Sequence, residues 1–245
     1  MTLSAPRSST VDAPSGDAPL NGFPVARCDG TPNELAGQAI PDIVIRRLPI
    51  YIRALQGMID GGSYSVSSDA LADQIGVTAA QIRRDLSYFG RFGKQGKGYD
   101  AVRLHDEIRR ILKLDQQWDV ALAGFGNLGR AIVHYGGFLP STFRITAIFD
   151  RSPDAVGHAV GGGTAGLVVH GEERIAGEIA RLGIKIGILA VPRASAQTVA
   201  EAMVAGGVEA LVNYAPCVVR APSHVAVRDV DPVGAMQSMT YYLNG

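Results

Sequence analysis

Cysteine is nearly absent: Cys28 and Cys217 are the only two in 245 residues. Two thiols are too few for a disulfide framework, and their separation matches no metal-ligand spacing. No run of about 18 apolar residues occurs, so no membrane-spanning helix is expected. The first residues lack the basic start and apolar centre of a secretory signal, and a cytoplasmic location is expected. Net charge is missing too, since 23 basic side chains balance 23 acidic ones. That balance conceals an asymmetry. Residues 43–113 hold 12 basic and 7 acidic side chains, whereas the segments on either side are mildly acidic. A compact basic segment beside an acidic one suggests that the former contacts a polyanion.

What is present is ample apolar character (47%) and 30 glycines, of which three matter most. An apolar run, Asp119 to Ala123, leads into Gly124-Phe125-Gly126-Asn127-Leu128-Gly129, and a helical segment from Arg130 to Tyr135 follows. A second apolar run, Arg144 to Phe149, ends at Asp150, about 20 residues beyond the last glycine. The chemistry of a dinucleotide explains this spacing. Gly124 permits the tight turn, Gly126 lets backbone approach a pyrophosphate, and Gly129 lets the helix pack closely on its strand. The helix start offers free N–H groups to phosphates. Asp150 is placed to accept from the ribose hydroxyls, which favours NAD over NADP, with Arg151 as an adjacent cation. Strands and helices then alternate to the end of the chain. Ligands of open parallel sheets bind at the carboxyl ends of strands, so Ala190, Val191, Pro192, Asn213 and Tyr214 are expected to line the nicotinamide end. Gly161-Gly162-Gly163 reads as loop, and Asp231 to Leu243 as an apolar C-terminal helix, either core or a dimer contact.

Residues 1–40 are rich in Ala, Pro, Ser and Gly without apolar periodicity and are expected to be disordered. From 41 to 115 the pattern is helical. Ile43 to Ile59 has helical spacing, with Pro49 expected to kink it or mark off a short first turn. Ser68 with Asp69 is expected to cap a short second helix, and Thr78 a third, Ala79 to about Phe89. This is a helix-turn-helix, exposing Gln81, Arg83, Arg84, Ser87 and Tyr88 to base edges and phosphates. Ser67 and Thr78, at the helix starts, join these candidate DNA contacts. The stretch Gly90 to Tyr99 is basic and glycine-spaced, like the wing of a winged helix, and adds Lys94, Lys97 and Tyr99. A further helix, Leu104 to Leu114, leads to a boundary near Asp115-Gln116-Gln117. The expected units are therefore 1–40, 41–115, 116–230 and 231–245.

These stretches carry a specific resemblance. RRLPIYIRAL (46–55), VSSDALADQIGV (66–77), QIRRDLSYFGRFGKQGKGY (81–99), GFGNLGRAIVHYGGF (124–138), AVP (190–192), NYAP (213–216) and the closing VDP and MTYYL together resemble the Rex family of redox-sensing repressors, over roughly residues 41–244. The resemblance implies a winged helix followed by a Rossmann-like NAD(H) domain, and a homodimer on a palindromic operator that leaves when NADH binds. It implies that Tyr135 senses the nicotinamide and that Asp231 pairs with a basic residue of the partner's recognition helix, Arg84. It also implies a C-terminal helix exchanged between protomers. Two positions depart from the family pattern. Gln95 stands where the wing has a basic residue, with Lys97 two positions on, and Pro232 follows Asp231 in place of a bulky apolar residue.

Two other classes compete on residues alone. An NAD-dependent dehydrogenase needs a proton donor beside the nicotinamide. None of His105, His134, His158, His170 and His224 falls at an expected strand end with an orienting carboxylate. A CoA- or nucleotide-binding interaction subunit shares the same half-Rossmann pattern. No metal and no membrane partner are expected.

Overall fold

The computed structural model describes residues 40–94, 98–134, 140–161 and 166–243. Residues 1–39 of the expected disordered extension, Gly162-Gly163, Tyr135, Gln95 and Lys97 lie outside these residues.

The chain begins with α1 (Asp42–Asp60), whose Val44, Leu48, Tyr51 and Leu55 recur at helical spacing and are buried. Pro49 lies inside this helix, which runs unbroken from end to end, so no separate first turn exists. The proline is exposed, where water can satisfy the carbonyl that its missing N–H leaves open. Strand β1 (Ser65–Val66) precedes α2 (Ser68–Ile75). The cap of α2 is Ser67, one residue earlier than expected, with its hydroxyl accepting from the Ala70 N–H at 3.0 Å. Gly76 ends α2 in the left-handed region, a conformation that suits glycine. Thr78 then caps α3 (Ala79–Ser87) by accepting from the Gln81 N–H. Strands β2 (Gly93–Lys94) and β3 (Gly98–Asp100) form the hairpin, and β1 pairs with β3 to make three antiparallel strands. Helix α4 (Ala101–Ile111) starts three residues before the expected Leu104, because Asp100 caps it. Its Ala101, Leu104 and Ile108 pack with the α1 stripe in one helical core.

The remaining elements build a sheet. They are β4 (Trp118–Ala123), α5 (Asn127–His134), β5 (Phe143–Asp150), β6 (Ala159–Val160), β7 (Leu167–Gly171), α6 (Ile175–Leu182), β8 (Ile186–Leu189), α7 (Arg193–Ala205), β9 (Ala210–Asn213), β10 (Ala226–Asp229) and α8 (Pro232–Met239). Strand order is β10-β9-β8-β4-β5-β7-β6, and every pairing is parallel except β6 with β7. Residues of β4 alternate between the two faces. Ala121 and Ala123 meet α6 and α7, while Val120 and Leu122 meet Ile132 of α5. A register shift beside Val120 makes Thr146 the extra residue on β5, which is why Ile145 and Ile148, three apart, share a face. The chain leaves β7 and returns to the opposite side of β4, so order reverses between β4 and β8, and the crevice at their carboxyl ends is the switch point.

One charged cluster ties α3 to α1. Asp85 is fully buried and accepts from Arg47 Nε (2.5 Å), Arg47 Nη2 (2.8 Å), the Tyr51 hydroxyl (2.6 Å) and Gln81 Nε2 (2.6 Å). Burial raises its pKa, but bonds from Arg47, Tyr51 and Gln81 more than reverse this and hold it below the ordinary carboxylate value. Removing a partner from a buried pair strands the other charge. Asp85→Ala should therefore cost about 3–5 kcal/mol in urea unfolding. Because the folded-state pKa is depressed, the carboxylate's contribution should persist above the unfolded value of 3.8 and be lost as pH falls through the folded one.

Candidate nucleotide site and nucleic-acid interface

The glycine loop sits at the switch point, and its three glycines have different reasons to be glycine. Gly124 (φ +96°) donates its N–H to the Phe149 carbonyl at 2.8 Å, and a Cβ there would run into the Ala190 backbone. At Gly129 a Cβ would collide with the Gly124 carbonyl. Gly126 is exposed, and a Cβ there meets nothing within 4 Å. The fold thus requires the first and last glycines. It leaves the middle one open to an incoming group at the start of α5, where Gly126, Asn127 and Leu128 are all exposed.

Asp150 closes the loop from below. Its Oδ2 accepts from the Phe125 N–H at 2.6 Å and its Oδ1 from the Ser152 N–H at 2.8 Å. Each carboxylate oxygen retains a lone pair for a further donor. Phe125 is buried, with the Arg130 guanidinium 5.4 Å from its ring centre. Arg151 is exposed. Next to it, Glu172 follows the end of β7. Burial raises the Glu172 pKa, Arg151 opposes the rise, and Asp150 adds to it. Nothing local marks Glu172 for this corner, because it becomes a neighbour only through the β5–β7 register, Asp150 opposite Gly171.

Across the crevice, the Ala190 N–H donates to the Ala123 carbonyl, Val191 is buried, and Pro192 is exposed at the start of α7. Tyr214 is half-buried, which pushes its hydroxyl pKa up. Asn213 is turned inward. Its amide donates to the Cys217 carbonyl (2.8 Å) and to Asp229 (2.7 Å), and its carbonyl accepts from the Ala215 N–H (3.0 Å). That side chain holds the loop after β9 in place.

In the helical part, Arg83 donates to the Ser68 hydroxyl at 2.6 Å, and Ser87 donates to the Arg84 carbonyl at 2.7 Å. Arg84 is exposed, whereas Tyr88 and Tyr99 pack half-buried against the helical core. Lys94 lies in β2. An open cleft of about 570 Å³ separates α2 and α3 from the hairpin, lined by Ser67, Arg83, Ser87, Arg91 and Tyr99 among others. Asp231 caps α8, accepting from the Gly234 N–H at 2.9 Å. Among the described residues no group of His, Cys, Asp and Glu could hold a metal, and no helix is long and apolar enough to cross a membrane.

A winged helix-turn-helix joined to a Rossmann-ordered sheet with a glycine loop at its switch point defines a transcription regulator carrying a nucleotide domain. Redox-sensing transcriptional repressor Rex of Chloroflexus aggregans is 48% identical over 203 residues, covering 83% of this chain and 94% of that protein, and the namesake from Pelotomaculum thermopropionicum is 40% identical over 204. The chain belongs to the Rex family of redox-sensing transcriptional repressors. Family patterns described as "Putative DNA-binding protein N-terminus" and "CoA binding domain" match residues 39–87 and 115–217. Among solved structures, RSP, a Rex-family repressor, is similar with a TM-score of 0.75 at 35% identity, covering 84% of this chain and 95% of its own. RSP in complex with beta-NAD+ and operator DNA gives 0.77 at 36%, covering 84% and 94%.

The glycine geometry separates two otherwise similar substitutions. Gly129→Ala drives a Cβ into backbone that cannot yield, and should destabilise the protein by about 1–3 kcal/mol or more. Gly126→Ala meets open space and should stay within roughly 0.5 kcal/mol of the parent. Urea unfolding of both variants checks this.

Proposed function

We propose that this chain is a repressor that senses the NADH/NAD+ ratio in the cytoplasm, binding a palindromic operator as a homodimer and releasing it when NADH binds. The observation that carries this reading is the open glycine, Gly126, at a switch-point loop underpinned by Asp150, in the same chain as a winged helix. RSP, described both with beta-NADH and with beta-NAD+ and operator DNA, supports the two ligands. In this assignment residues 41–115 bind DNA, 116–230 bind the dinucleotide and 231–245 dimerise.

The N–H groups of Gly126, Asn127 and Leu128 receive the pyrophosphate, and the free lone pairs of Asp150 receive ribose hydroxyls. The same carboxylate repels the extra ribose phosphate of NADP or CoA, which argues against a CoA-binding role despite the name of the matching domain pattern. Ala190, Val191, Pro192 and Tyr214 border the nicotinamide end, and Asn213 serves by fixing that loop. Tyr135 and Asp231 sense the ring, which is cationic in NAD+ and neutral in NADH, because only contacts that differ between the two ligands can shift an equilibrium. In the DNA-competent state Asp231 pairs with Arg84 of the other protomer.

Helix α8 argues for the dimer. None of its residues is buried, and Val233, Met236 and Met239 are each more than half exposed, as are Tyr241, Tyr242 and Leu243 beyond it. Such a face is covered when the helix is exchanged with a second copy, and two-fold symmetry matches a palindrome.

Fluorescence anisotropy on a selected palindromic duplex tests the function. NADH should release the protein at concentrations where NAD+ does not, and equal responses to the two would overturn the reading. Deleting residues 232–245 should yield monomers in analytical ultracentrifugation that lose operator binding, whereas a truncated protein that still sediments as a dimer removes α8 from the interface.

A further inference from the structure

The recognition helix contains a buried carboxylate whose part in reading DNA remains to be assigned. Gln81 stands in the first turn of α3, the part of a recognition helix that meets base edges. Its Nε2 donates to Asp85 Oδ1 at 2.6 Å. An ionised carboxylate can only accept hydrogen bonds, so this contact fixes the sense of the amide. The NH2 end faces Asp85. Turning the amide over would set its carbonyl oxygen against a carboxylate oxygen. Asp85 cannot swing aside to allow that, because Arg47 and Tyr51 of α1 hold both of its oxygens and it is fully buried. The bonds that lower its pKa keep it ionised at neutral pH. The Gln81 carbonyl oxygen is left without a partner among the described residues.

We propose that Asp85 is a positioning residue for sequence recognition, holding Gln81 so that its carbonyl oxygen accepts from the exocyclic amino group of one base pair in each half-site, adenine N6 or cytosine N4. The inference rests on the DNA-binding reading above. An unrestrained glutamine chooses between offering its carbonyl and offering its amide N–H groups. Here the buried cluster has made that choice before DNA arrives, and the rotor freedom otherwise lost on binding is already spent. Arg47 and Tyr51 thereby act on base recognition from a helix that need not touch the duplex.

Every base pair shows one such amino group in the major groove, so the test applies whatever the operator is. Operators are first selected from a randomised duplex pool with the parent protein and with Gln81→Ala. The position whose preference the variant loses is the one Gln81 reads. Synthetic operators then carry, at that position in both half-sites, purine in place of adenine or 2-pyrimidinone in place of cytosine, which removes only the amino group. Parent binding should weaken about tenfold for each lost base contact, so about a hundredfold with both half-sites changed, while Gln81→Ala should be indifferent to the change. Asp85→Asn releases the constraint, because its amide can donate as well as accept. Its sensitivity to the missing amino group should fall, with circular dichroism reporting that it is folded. The parent measurement decides alone if that variant does not fold. Parent binding that is unaffected by the missing amino group, or a Gln81→Ala variant that relaxes no position, overturns the inference. A parent protein that selects no sequence at all sinks the DNA-binding reading and this inference with it.

Discussion

At the end of β4 three stretches of backbone meet with no room for a side chain. Gly124 is pressed against the backbone at Ala190, and Gly129 against Gly124 itself. Everything else in the sheet domain is arranged around this crowding. The turn brings the start of α5 directly over the strand it leaves, so the unpaired N–H groups of its first turn gather above the crevice between β4 and β8. Asp150, ending the neighbouring strand, ties the Phe125 N–H and keeps the turn from opening.

The helical domain solves a similar problem with charge. Helix α3 must present a polar outer face and therefore has little apolar surface with which to fix itself, only Ile82 and Leu86 being buried apolar residues of that helix. The Asp85 carboxylate, bonded to Arg47 and Tyr51, supplies the missing constraint. A hydrophobic replacement of the cluster could be as stable. It could not set the sense of the Gln81 amide, and that difference explains why a polar group occupies the core there.

Much of this was legible in the sequence where chemistry fixes spacing. Gly124 and Gly129 stand where the turn leaves no room for a Cβ and Asp150 ties that turn, while Thr78 caps the helix that follows it. Features that depend on distant partners were not legible. Pro49 reads as a break in the sequence, yet it lies on the exposed side of a helix whose Leu48 and Tyr51 are buried in the helical core. Strands β1 and β6 are two residues long, too short for any period to show. Asp85 lies 34 and 38 positions from the two α1 residues that bind it, and in the sequence it is one more acid on a polar helix. Asn213 and Arg83 read as free ligand contacts, yet both have hydrogen-bonded side chains, since nothing local reveals that Cys217, Asp229 or Ser68 will stand beside them.

The sheet and the helical part also touch through an ion pair. Arg228 on β10 pairs with Asp42 at the start of α1, and Asp42 also accepts from Arg46 at 2.7 Å. Asp231 follows three residues after Arg228 and begins α8. The strand at the edge of the sheet therefore contacts the helix on which the winged domain is built, and leads directly into the exposed apolar helix α8. An exposed ion pair of this kind contributes little stability. Its interest is geometric: α1 also carries Arg47 and Tyr51, which hold Asp85, so a continuous series of contacts joins β10 to α3.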